Sequence, residues 1–189
     1  SPGERVLIHG AAGGVGLAAV TIAQACGAEV YATAGTPEKR ALLHELGVKH
    51  VFDSRTLAFF DDVMAATNGR GVDVILNSLS GPFLERSMKA LSAGGRFLEI
   101  GKRDVYENTA VGLHALRQNA SLFVIDLARL AAERPQVLRS EIETVIAALQ
   151  RGEFRSLPVQ CFPIGAVADA FHHMASAKHV GKVVVTMDG

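Results

Sequence analysis

A glycine-rich segment between a predicted strand and a predicted helix constrains this chain more than any other feature. Residues 10–16 read Gly-Ala-Ala-Gly-Gly-Val-Gly. They follow an apolar run at residues 5–9, which predicts a short strand. They open residues 14–26, whose small apolar side chains predict a buried helix that stops at Gly27. A turn of this kind leaves the N–H groups of the first helical turn pointing at one place, where they attract an anion.

The segment matches the G-x-G-x-x-G/A fingerprint of dinucleotide-binding domains, with Ala11, Gly13 and Gly16 at the three glycine positions. The first position makes the tight turn, the second lets the backbone approach a pyrophosphate, and the third lets helix and strand pack closely. Alanine at the first position is a small departure. We predict that a dinucleotide binds here, and a glycine-rich turn without a ligand is the alternative.

Strands and helices alternate along most of the chain, which predicts a parallel sheet covered by helices on both faces. The further predicted strands are residues 29–33, 50–53, 72–77, 96–100 and 122–126. The further predicted helices are residues 37–46, 57–67, 82–91 and 135–150. The predicted fold class is therefore α/β, a Rossmann-type doubly wound parallel sheet of about six strands over residues 1–155.

The chain changes character after residue 155. Residues 157–162 predict an extended piece, residues 164–175 a helix and residues 182–187 a strand, and these do not continue the alternation. We therefore assign residues 156–189 to a separate C-terminal segment. The chain starts with Ser-Pro-Gly-Glu instead of methionine, and a core strand begins at once, so we expect a piece cut from a longer polypeptide.

Composition and charge argue against several classes of protein. The chain is 49% hydrophobic and 20% charged, which suits a full core, and its net charge of zero disfavours nucleic acid as a partner. Its apolar runs are too short for a membrane span and lack the flanks of a signal peptide. Cys26 and Cys161 have apolar sequence neighbours, so we expect buried free thiols in a cytoplasmic protein. The Cys and His spacing predicts no metal site.

The residues after the second predicted strand indicate which dinucleotide binds. NAD-specific domains place an acid about 20 residues after the loop, where it accepts a hydrogen bond from the ribose. Residues 33–36 read Thr-Ala-Gly-Thr, without Asp or Glu, and Lys39, Arg40 and Arg55 follow. Cations and hydroxyls bind the 2′-phosphate of NADPH, so we predict NADPH as the cofactor. For Arg40, the solvated face of a surface helix is an equal alternative.

Several stretches of the chain resemble one family. They resemble the cofactor-binding half of zinc-independent medium-chain dehydrogenase/reductases, and the similar stretches are residues 6–16, 36–40, 71–78 and 94–102. Within that group, Asn-Ser-Leu at residues 77–79 and Gly-Arg-Phe-Leu-Glu-Ile-Gly-Lys at residues 95–102 resemble enoyl reductase domains of modular type I polyketide synthases and animal-type fatty acid synthases. The resemblance covers essentially the whole chain. It implies NADPH-dependent reduction of an α,β-unsaturated acyl thioester held on an acyl carrier protein.

The resemblance implies a set of site residues. In that family, two residues near the nicotinamide have been proposed as proton donors, and their positions match Lys102 and Asp126. For Lys102 the alternative is a surface lysine in a turn. The spacing between Lys102 and Asp126 is slightly shorter than in animal synthases, so a catalytic and a structural role are about equally supported for Asp126. A turn residue at a strand end is the alternative for Asn77. Cofactor contacts are implied for Ala11, Ala12, Gly13, Gly14, Val15, Gly16, Thr36, Lys39, Ser54, Arg55, Asn77, Ser78 and Gly101.

The resemblance also implies what surrounds the chain. In this family the substrate pocket lies between the nucleotide domain and a GroES-like domain that precedes it. Most of that domain is expected to be absent here. Residues 156–189 would be its C-terminal remnant, and their strands would lack their normal sheet partners. The chain alone is then expected to bind NADPH but to reduce enoyl thioesters very slowly. The predicted strand at residues 122–126 forms a sheet edge, and the family pairs such strands, which implies a homodimer.

Three alternative functions stay open. A free-standing quinone or alkenal reductase of the same superfamily shares the glycine loop and Lys39 but tends to differ in the Gly-Lys run. A non-catalytic NADPH-binding module, such as a redox sensor, binds the cofactor without needing Lys102. A methyltransferase also uses a glycine loop in an α/β sheet, but its adenosyl ribose usually needs an acid that is missing after the second strand.

Overall fold

Six parallel strands form the central sheet of this chain. The structure is a computed structural model that describes residues 1–176 and 179–187; residues 177, 178, 188 and 189 of the predicted C-terminal segment lie outside the described residues. The strands are β1 (Arg5–Ile8), β2 (Glu29–Ala34), β3 (His50–Asp53), β4 (Val72–Asn77), β5 (Leu91–Glu99) and β6 (Ser121–Val124). Their order is β3-β2-β1-β4-β5-β6, and every neighbouring pair is parallel. The predicted doubly wound fold is confirmed, with its reversal between β1 and β4.

Helices connect most of these strands. They are α1 (Gly14–Ala25), α2 (Pro37–Glu45), α3 (Phe59–Ala66), α4 (Pro82–Met88), α5 (Arg103–Tyr106), α6 (Leu127–Glu133), α7 (Pro135–Gln150) and α8 (Val167–Ala175). Short 3₁₀ turns lie at Leu113–Leu116 and Ile164–Ala166. The sequence did not predict α5, which has 4 residues and is too short to show a helical period, or α6, which has 7 residues and directly precedes α7. Strand β5 also begins earlier than predicted, so α4 ends at Met88.

The sheet separates two apolar cores. On one face, Leu7 of β1 packs with Phe59 of α3 and Met88 of α4. On the other face, Ile8 of β1 packs with Leu17 of α1. Leu7 and Ile8 are neighbours that face opposite ways because side chains alternate along a strand. Both faces of the sheet are covered, which explains why the strands are continuously apolar in sequence.

The C-terminal segment forms a second, two-stranded sheet. Its strands β7 (Val159–Pro163) and β8 (Lys182–Thr186) pair in parallel, and α8 packs against both. The segment also touches the glycine loop, because Gly13 and Gly181 form an isolated β-bridge. The division of the chain between residues 155 and 156 stays a prediction.

Two burial expectations from the sequence are wrong. Cys26 and Cys161 are exposed, because Cys26 directly follows the last turn of α1 and Cys161 lies on the two-stranded sheet, outside both cores. Helix α1 is buried on one side only: Leu17 and Val20 are inside, whereas Val15 is 56% exposed. Within residues 1–176 and 179–187, no helix has both the length and the apolar character needed to cross a membrane.

Candidate cofactor and active site

The glycine loop packs so closely against the start of α1 that its backbone path is fixed. The N–H of Gly13 donates to the carbonyl of Gly10 at 3.0 Å, and the N–H of Ala11 donates to the carbonyl of Thr33 in β2 at 2.9 Å. A Cβ at Gly16 would lie 2.5 Å from both the Cα of Ala11 and the carbonyl oxygen of Gly10. Position 16 therefore accepts no side chain without a movement of the loop or the helix.

Among the described residues, no side chain caps the N-terminus of α1. Gly13 occupies the N-cap position, and the first turn contains no acidic residue. Two other helices are capped: the Thr36 hydroxyl accepts from the N–H of Lys39 in α2, and the Asp126 carboxylate accepts from the first N–H groups of α6. The remaining helices have no side-chain cap either, so what distinguishes α1 is the glycine loop that precedes it. Because the first N–H groups of a helix need acceptors, the uncapped end of α1 is suited to a phosphate.

A buried chain of hydrogen bonds lies under the loop. The Nδ1 atom of His9 is 3.0 Å from the Thr33 hydroxyl, and its Nε2 atom is 2.9 Å from the Ser87 hydroxyl of α4. The Ser87 hydroxyl donates to the carbonyl of Phe83, so it accepts from Nε2–H. The Nδ1 atom is then the acceptor and takes the Thr33 proton, while the Thr33 oxygen accepts from the N–H of Gly10 at 3.4 Å. Both ring nitrogens are therefore satisfied in the neutral form.

His9 directly follows β1, and its side chain connects this strand end to α4 through Ser87. Its side chain is almost fully buried, and burial lowers the pKa of His9 to about 3. The imidazole is therefore neutral at physiological pH and can hold both hydrogen bonds at once. The position of Gly10, and hence of the loop, depends on this neutral ring through Thr33.

A second buried polar cluster joins the ends of β4 and β5. The Glu99 carboxylate accepts from the side-chain amide of Asn77 at 2.6 Å and from the N–H of Gly101 at 2.5 Å. The Asn77 amide also donates to the carbonyl of Leu79 at 2.7 Å. Burial raises the pKa of Glu99, and the hydrogen bonds from Asn77 and Gly101 oppose that rise. This cluster holds together the two turns that leave the sheet at its carboxyl edge.

Ser78 borders the glycine loop. Its Oγ lies 3.5 Å from the position that a Cβ would take at Gly10, so the turn after β4 meets the turn after β1. Strands β1 and β4 are neighbours at the point where the strand order changes direction. Ligands of doubly wound sheets bind in the crevice at this point. The loop and the predicted contacts Asn77 and Ser78 thus line one crevice.

Two polar side chains lie beside Gly35, directly after β2, and a third, Lys39, is close enough to one of them to feel its charge. A Cβ at Gly35 would lie 3.3 Å from Nε of Arg55 and 3.4 Å from Oγ of Ser54. Partial burial, and after it the charge of Arg55, lower the pKa of Lys39. An anion bound near both Lys39 and Arg55 would be attracted to each of them. The cluster lies where the 2′-phosphate was predicted.

Arg40 does not join this cluster. Its guanidinium donates to the carbonyl of Ala34 at 3.1 Å and pairs with the Asp53 carboxylate at 3.3 Å. Both partners end a strand, β2 and β3 respectively, so Arg40 ties these two strand ends together. The geometry favours this structural role over a contact with the cofactor.

Lys102 and Asp126 meet just past the ends of β5 and β6. The Lys102 ammonium lies 3.5 Å from Oδ1 of Asp126, and the Tyr106 hydroxyl donates to Oδ2 at 2.7 Å. The Tyr106 hydrogen bond, followed by the N–H of Arg129, lowers the pKa of Asp126 to about 2. Asp126 is therefore ionised at neutral pH and has no proton to donate. The Lys102 side chain is 58% exposed.

Comparison with known proteins assigns the family. Residues 14–148 match the protein family described as zinc-binding dehydrogenase. The chain belongs to the zinc-binding dehydrogenase family. The mycocerosic acid synthase-like polyketide synthase of Mycolicibacterium smegmatis is 44% identical over 185 residues, which is 98% of this chain and 9% of that protein. The chain thus spans a small part of the curated relatives that it matches.

Solved structures narrow the assignment within the zinc-binding dehydrogenase family. The nucleotide-binding subdomain of the enoylreductase domain of PpsC from Mycobacterium tuberculosis is 46% identical with a TM-score of 0.79, covering 83% of this chain and 88% of that chain. The CurF ER cyclopropanase from the curacin A biosynthetic pathway is 39% identical with a TM-score of 0.90, covering 98% of this chain and 55% of that chain. The predicted resemblance is confirmed: the chain belongs with the nucleotide-binding subdomains of enoyl reductase domains of the polyketide synthase type. That assignment supports NADPH as the cofactor.

The zinc in the family's description finds no matching site here. Within residues 1–176 and 179–187, no group of three or more His, Cys, Asp or Glu side chains is arranged to hold a metal ion. A zinc site needs three or four such ligands. The described donors of this zinc-binding dehydrogenase family member therefore do not form a zinc site.

The predicted site residues follow strands of one parallel sheet and so lie at its carboxyl edge, although their individual roles stay predictions. Sequence reasoning assigned no role to Glu99 or His9, whose contacts bring them to the same edge. For Glu99 a signal existed, because it lies two residues after the buried Phe97, on the same face of the strand. A carboxylate at such an inward position requires hydrogen-bond partners.

Proposed function

We propose that this chain binds NADPH at the glycine loop and presents it to an α,β-unsaturated acyl thioester held on an acyl carrier protein. The observation that carries the proposal is the shared position of two features. The uncapped N-terminus of α1 and the Lys102–Asp126 pair both follow strands of one parallel sheet, at its carboxyl edge. The similarity to an enoylreductase nucleotide-binding subdomain supports the reaction class.

The carboxyl edge fits NADPH in three parts. The loop, with its free N–H groups, suits the pyrophosphate. The cations and hydroxyls around Gly35 suit the 2′-phosphate, and the turns held by Glu99 suit the nicotinamide half. We assign residues 11–16 to the pyrophosphate, Thr36, Lys39, Ser54 and Arg55 to the 2′-phosphate, and Asn77, Ser78 and Gly101 to the ribose and nicotinamide.

We expect Lys39→Gln to weaken NADPH binding by roughly 5- to 30-fold and to leave NADH binding unchanged. The reason is that only NADPH carries the phosphate that the Lys39 ammonium would face. Titration of both cofactors against the chain, followed by cofactor fluorescence, measures this. Lys49→Gln is the matched control, because Lys49 is exposed and precedes β3 at the opposite edge of the sheet. Equal affinities for both cofactors, unchanged in the variant, would contradict the assignment of NADPH.

The chain's own residues supply the proton side of the proposed reaction. NADPH, when bound, supplies the hydride that goes to the β carbon of the acyl group. Negative charge then develops on the thioester oxygen as the C=C electrons move into the enolate. In this proposal the Lys102 ammonium donates a hydrogen bond to that oxygen and then a proton to the α carbon. Asp126, being ionised, positions the ammonium, so we propose Lys102 as the donor and Asp126 as its positioning residue.

We expect the chain alone to reduce an enoyl thioester at least about 100-fold more slowly than an intact polyketide synthase enoyl reductase. It spans 55% of the cyclopropanase chain, and we propose that the remainder corresponds to the domain that orients the acyl group. The measurement is steady-state oxidation of NADPH with crotonyl-pantetheine, with Lys102→Ala as the blank for residual chemistry. Turnover comparable to that of an intact reductase would contradict a separate acyl-binding domain.

We further propose a homodimer formed through β6. This strand is the last of the sheet, and all its residues are exposed, including Phe123 at 50% and Val124 at 54%. An apolar strand with unpaired N–H and C=O groups favours pairing with another strand. A second copy of the chain would extend the sheet across a two-fold axis, because the same edge then serves both partners.

A further inference from the structure

A single carboxylate lies between the two turns that leave β4 and β5. Glu99 is the last residue of β5, its side chain is buried, and its register partner in β4 is Asn77. The two carboxylate oxygens have different partners. Oε2 accepts from the Asn77 amide at 2.6 Å, and Oε1 accepts from the N–H of Gly101 at 2.5 Å. Each oxygen therefore fixes one turn, so the carboxylate sets the separation between the two turns.

The side chain of Asn77 is fully buried and cannot itself reach a ligand. Its amide nitrogen donates to Glu99 and also to the carbonyl of Leu79 at 2.7 Å. Its oxygen accepts from the N–H of Leu79 at 3.3 Å. Asn77 can therefore influence a cofactor only through the turn that it shapes, and that turn carries the exposed residue Ser78.

The two turns also meet at Gly101. A Cβ at this position would lie 2.7 Å from Oε1 of Glu99, and 3.6 Å from both the carbonyl carbon and the carbonyl oxygen of Ser78. The backbone at residue 101 thus passes between the buried carboxylate and the turn after β4, and Lys102 follows directly. A change at Glu99 would shift the surface on which the nicotinamide half of the cofactor is proposed to lie.

An ionised carboxylate satisfies both donors at this position, whereas the corresponding amide does not. Glutamine has the same shape but one acceptor oxygen, so its NH₂ group would face either the Asn77 amide or the N–H of Gly101, donor against donor. A buried donor left without an acceptor costs more free energy than an ordinary hydrogen bond contributes. Glu99→Gln is therefore expected to release one of the two turns.

We propose that Glu99 is a positioning residue for the nicotinamide half of the cofactor: it sets the separation of the turns after β4 and β5 without touching the cofactor. The inference rests on the proposed NADPH site and adds to it a residue that binds no ligand directly. The pyrophosphate and the 2′-phosphate are assigned to residues that follow other strands, β1, β2 and β3. Loss of the Glu99 carboxylate is therefore expected to weaken only what the nicotinamide half contributes to binding.

The test compares the dissociation constants of the full chain for NADPH and for 2′-phospho-ADP-ribose, which carries all the phosphates but no nicotinamide. We expect Glu99→Gln to weaken NADPH binding by roughly 5- to 30-fold, and to change the affinity for 2′-phospho-ADP-ribose by less than about 2-fold. The fluorescence of bound NADPH, which reports the surroundings of its nicotinamide ring, is expected to move toward that of the free cofactor. Glu45→Gln is the matched control, because Glu45 is exposed and ends α2, which returns to the opposite edge of the sheet.

Asn77→Asp tests the same contact from its other side. Alone, this change places two carboxylates against each other, and we expect it to weaken NADPH binding. Combined with Glu99→Gln, it restores a donor–acceptor pair: the new amide can donate to the new carboxylate while its oxygen still accepts from the N–H of Gly101. The double variant is therefore expected to bind NADPH more tightly than Asn77→Asp alone. Losses that simply add would overturn the inference, because residues that act through one contact do not behave independently.

The outcomes separate this inference from the proposed function. Equal weakening of both ligands in Glu99→Gln would overturn the positioning role, because it would show general damage to the site, and unchanged affinities would overturn it as well. If the unaltered chain binds both ligands equally tightly, the turns do not hold the nicotinamide half, and the inference fails while the phosphate sites stand. If the unaltered chain binds neither ligand, the proposed function fails and this inference fails with it.

Discussion

Gly16→Ala is expected to lower NADPH affinity by at least about 100-fold and to destabilise the fold by about 1–3 kcal/mol. The added Cβ would lie 2.5 Å from the Cα of Ala11 and from the carbonyl oxygen of Gly10, and 2.7 Å from the carbonyl carbon of Ala11. All three are backbone atoms, so no side-chain rotation relieves the contact. The helix must move away from the loop, and the N–H groups that would hold the phosphates move with it.

Gly112→Ala is the matched control, since a Cβ at Gly112 has open space around it and φ there is −72°. Calorimetric titration with NADPH and chemical denaturation of both variants give the two quantities. A Gly16→Ala protein that binds NADPH as tightly as the unaltered chain would show that the loop does not hold the pyrophosphate.

Acid is expected to destabilise this chain through His9. Burial lowers the pKa of His9 to about 3 in the folded chain, against an ordinary value of about 6.5 in the unfolded chain. Between these two values the unfolded state binds the extra proton, so the free energy of unfolding falls as the pH falls. The contribution of His9 is complete above pH 6.5 and decreases as the pH falls below it, so that it is smaller by about 3 kcal/mol at pH 4.5.

Urea denaturation of the unaltered chain and of His9→Gln between pH 4.5 and pH 8 isolates this effect. Carboxylates contribute to the acid sensitivity of both proteins equally, so the difference in slope belongs to His9. We expect the variant to be less stable at pH 8, because the Thr33 and Ser87 hydroxyls lose their geometry, but less sensitive to acid. Identical slopes in the two proteins would mean that His9 is not a buried neutral group.

The sequence predicted the sheet and the loop well because both depend on local patterns. The predicted strands are short, mostly apolar runs ended by turns, and the predicted helices have a period or a stop signal such as Gly47 after α2. Helix α7 was predicted with its observed bounds because Pro135 starts it. Helix α6 was missed because it has 7 residues and ends where that proline begins the next helix. The exposure of Cys26 was missed because apolar neighbours in sequence do not determine which side of a helix faces out.

The polar clusters could not be predicted because their partners are far apart in sequence. His9 and Ser87 are 78 residues apart, and Asn77 and Glu99 are 22 apart. Which of several polar residues meet depends on strand order and register, which a local pattern does not contain. Gly181 is the extreme case, since it meets Gly13 of the loop only through the fold of the C-terminal segment.

The cluster beside Gly35 has a consequence for how cofactor preference can change during evolution. An acid introduced at Gly35 to bind the ribose of NADH would meet Arg55, whose Nε lies 3.3 Å from the new Cβ, before it could reach a ribose hydroxyl. The new charge would be neutralised within the protein. A switch to NADH therefore needs Arg55 to be lost and an acid to be gained, in two separate loops. On the proposed assignment of Arg55 to the 2′-phosphate, we expect a variant with only one of the two changes to bind neither cofactor well, so that no single substitution switches the preference.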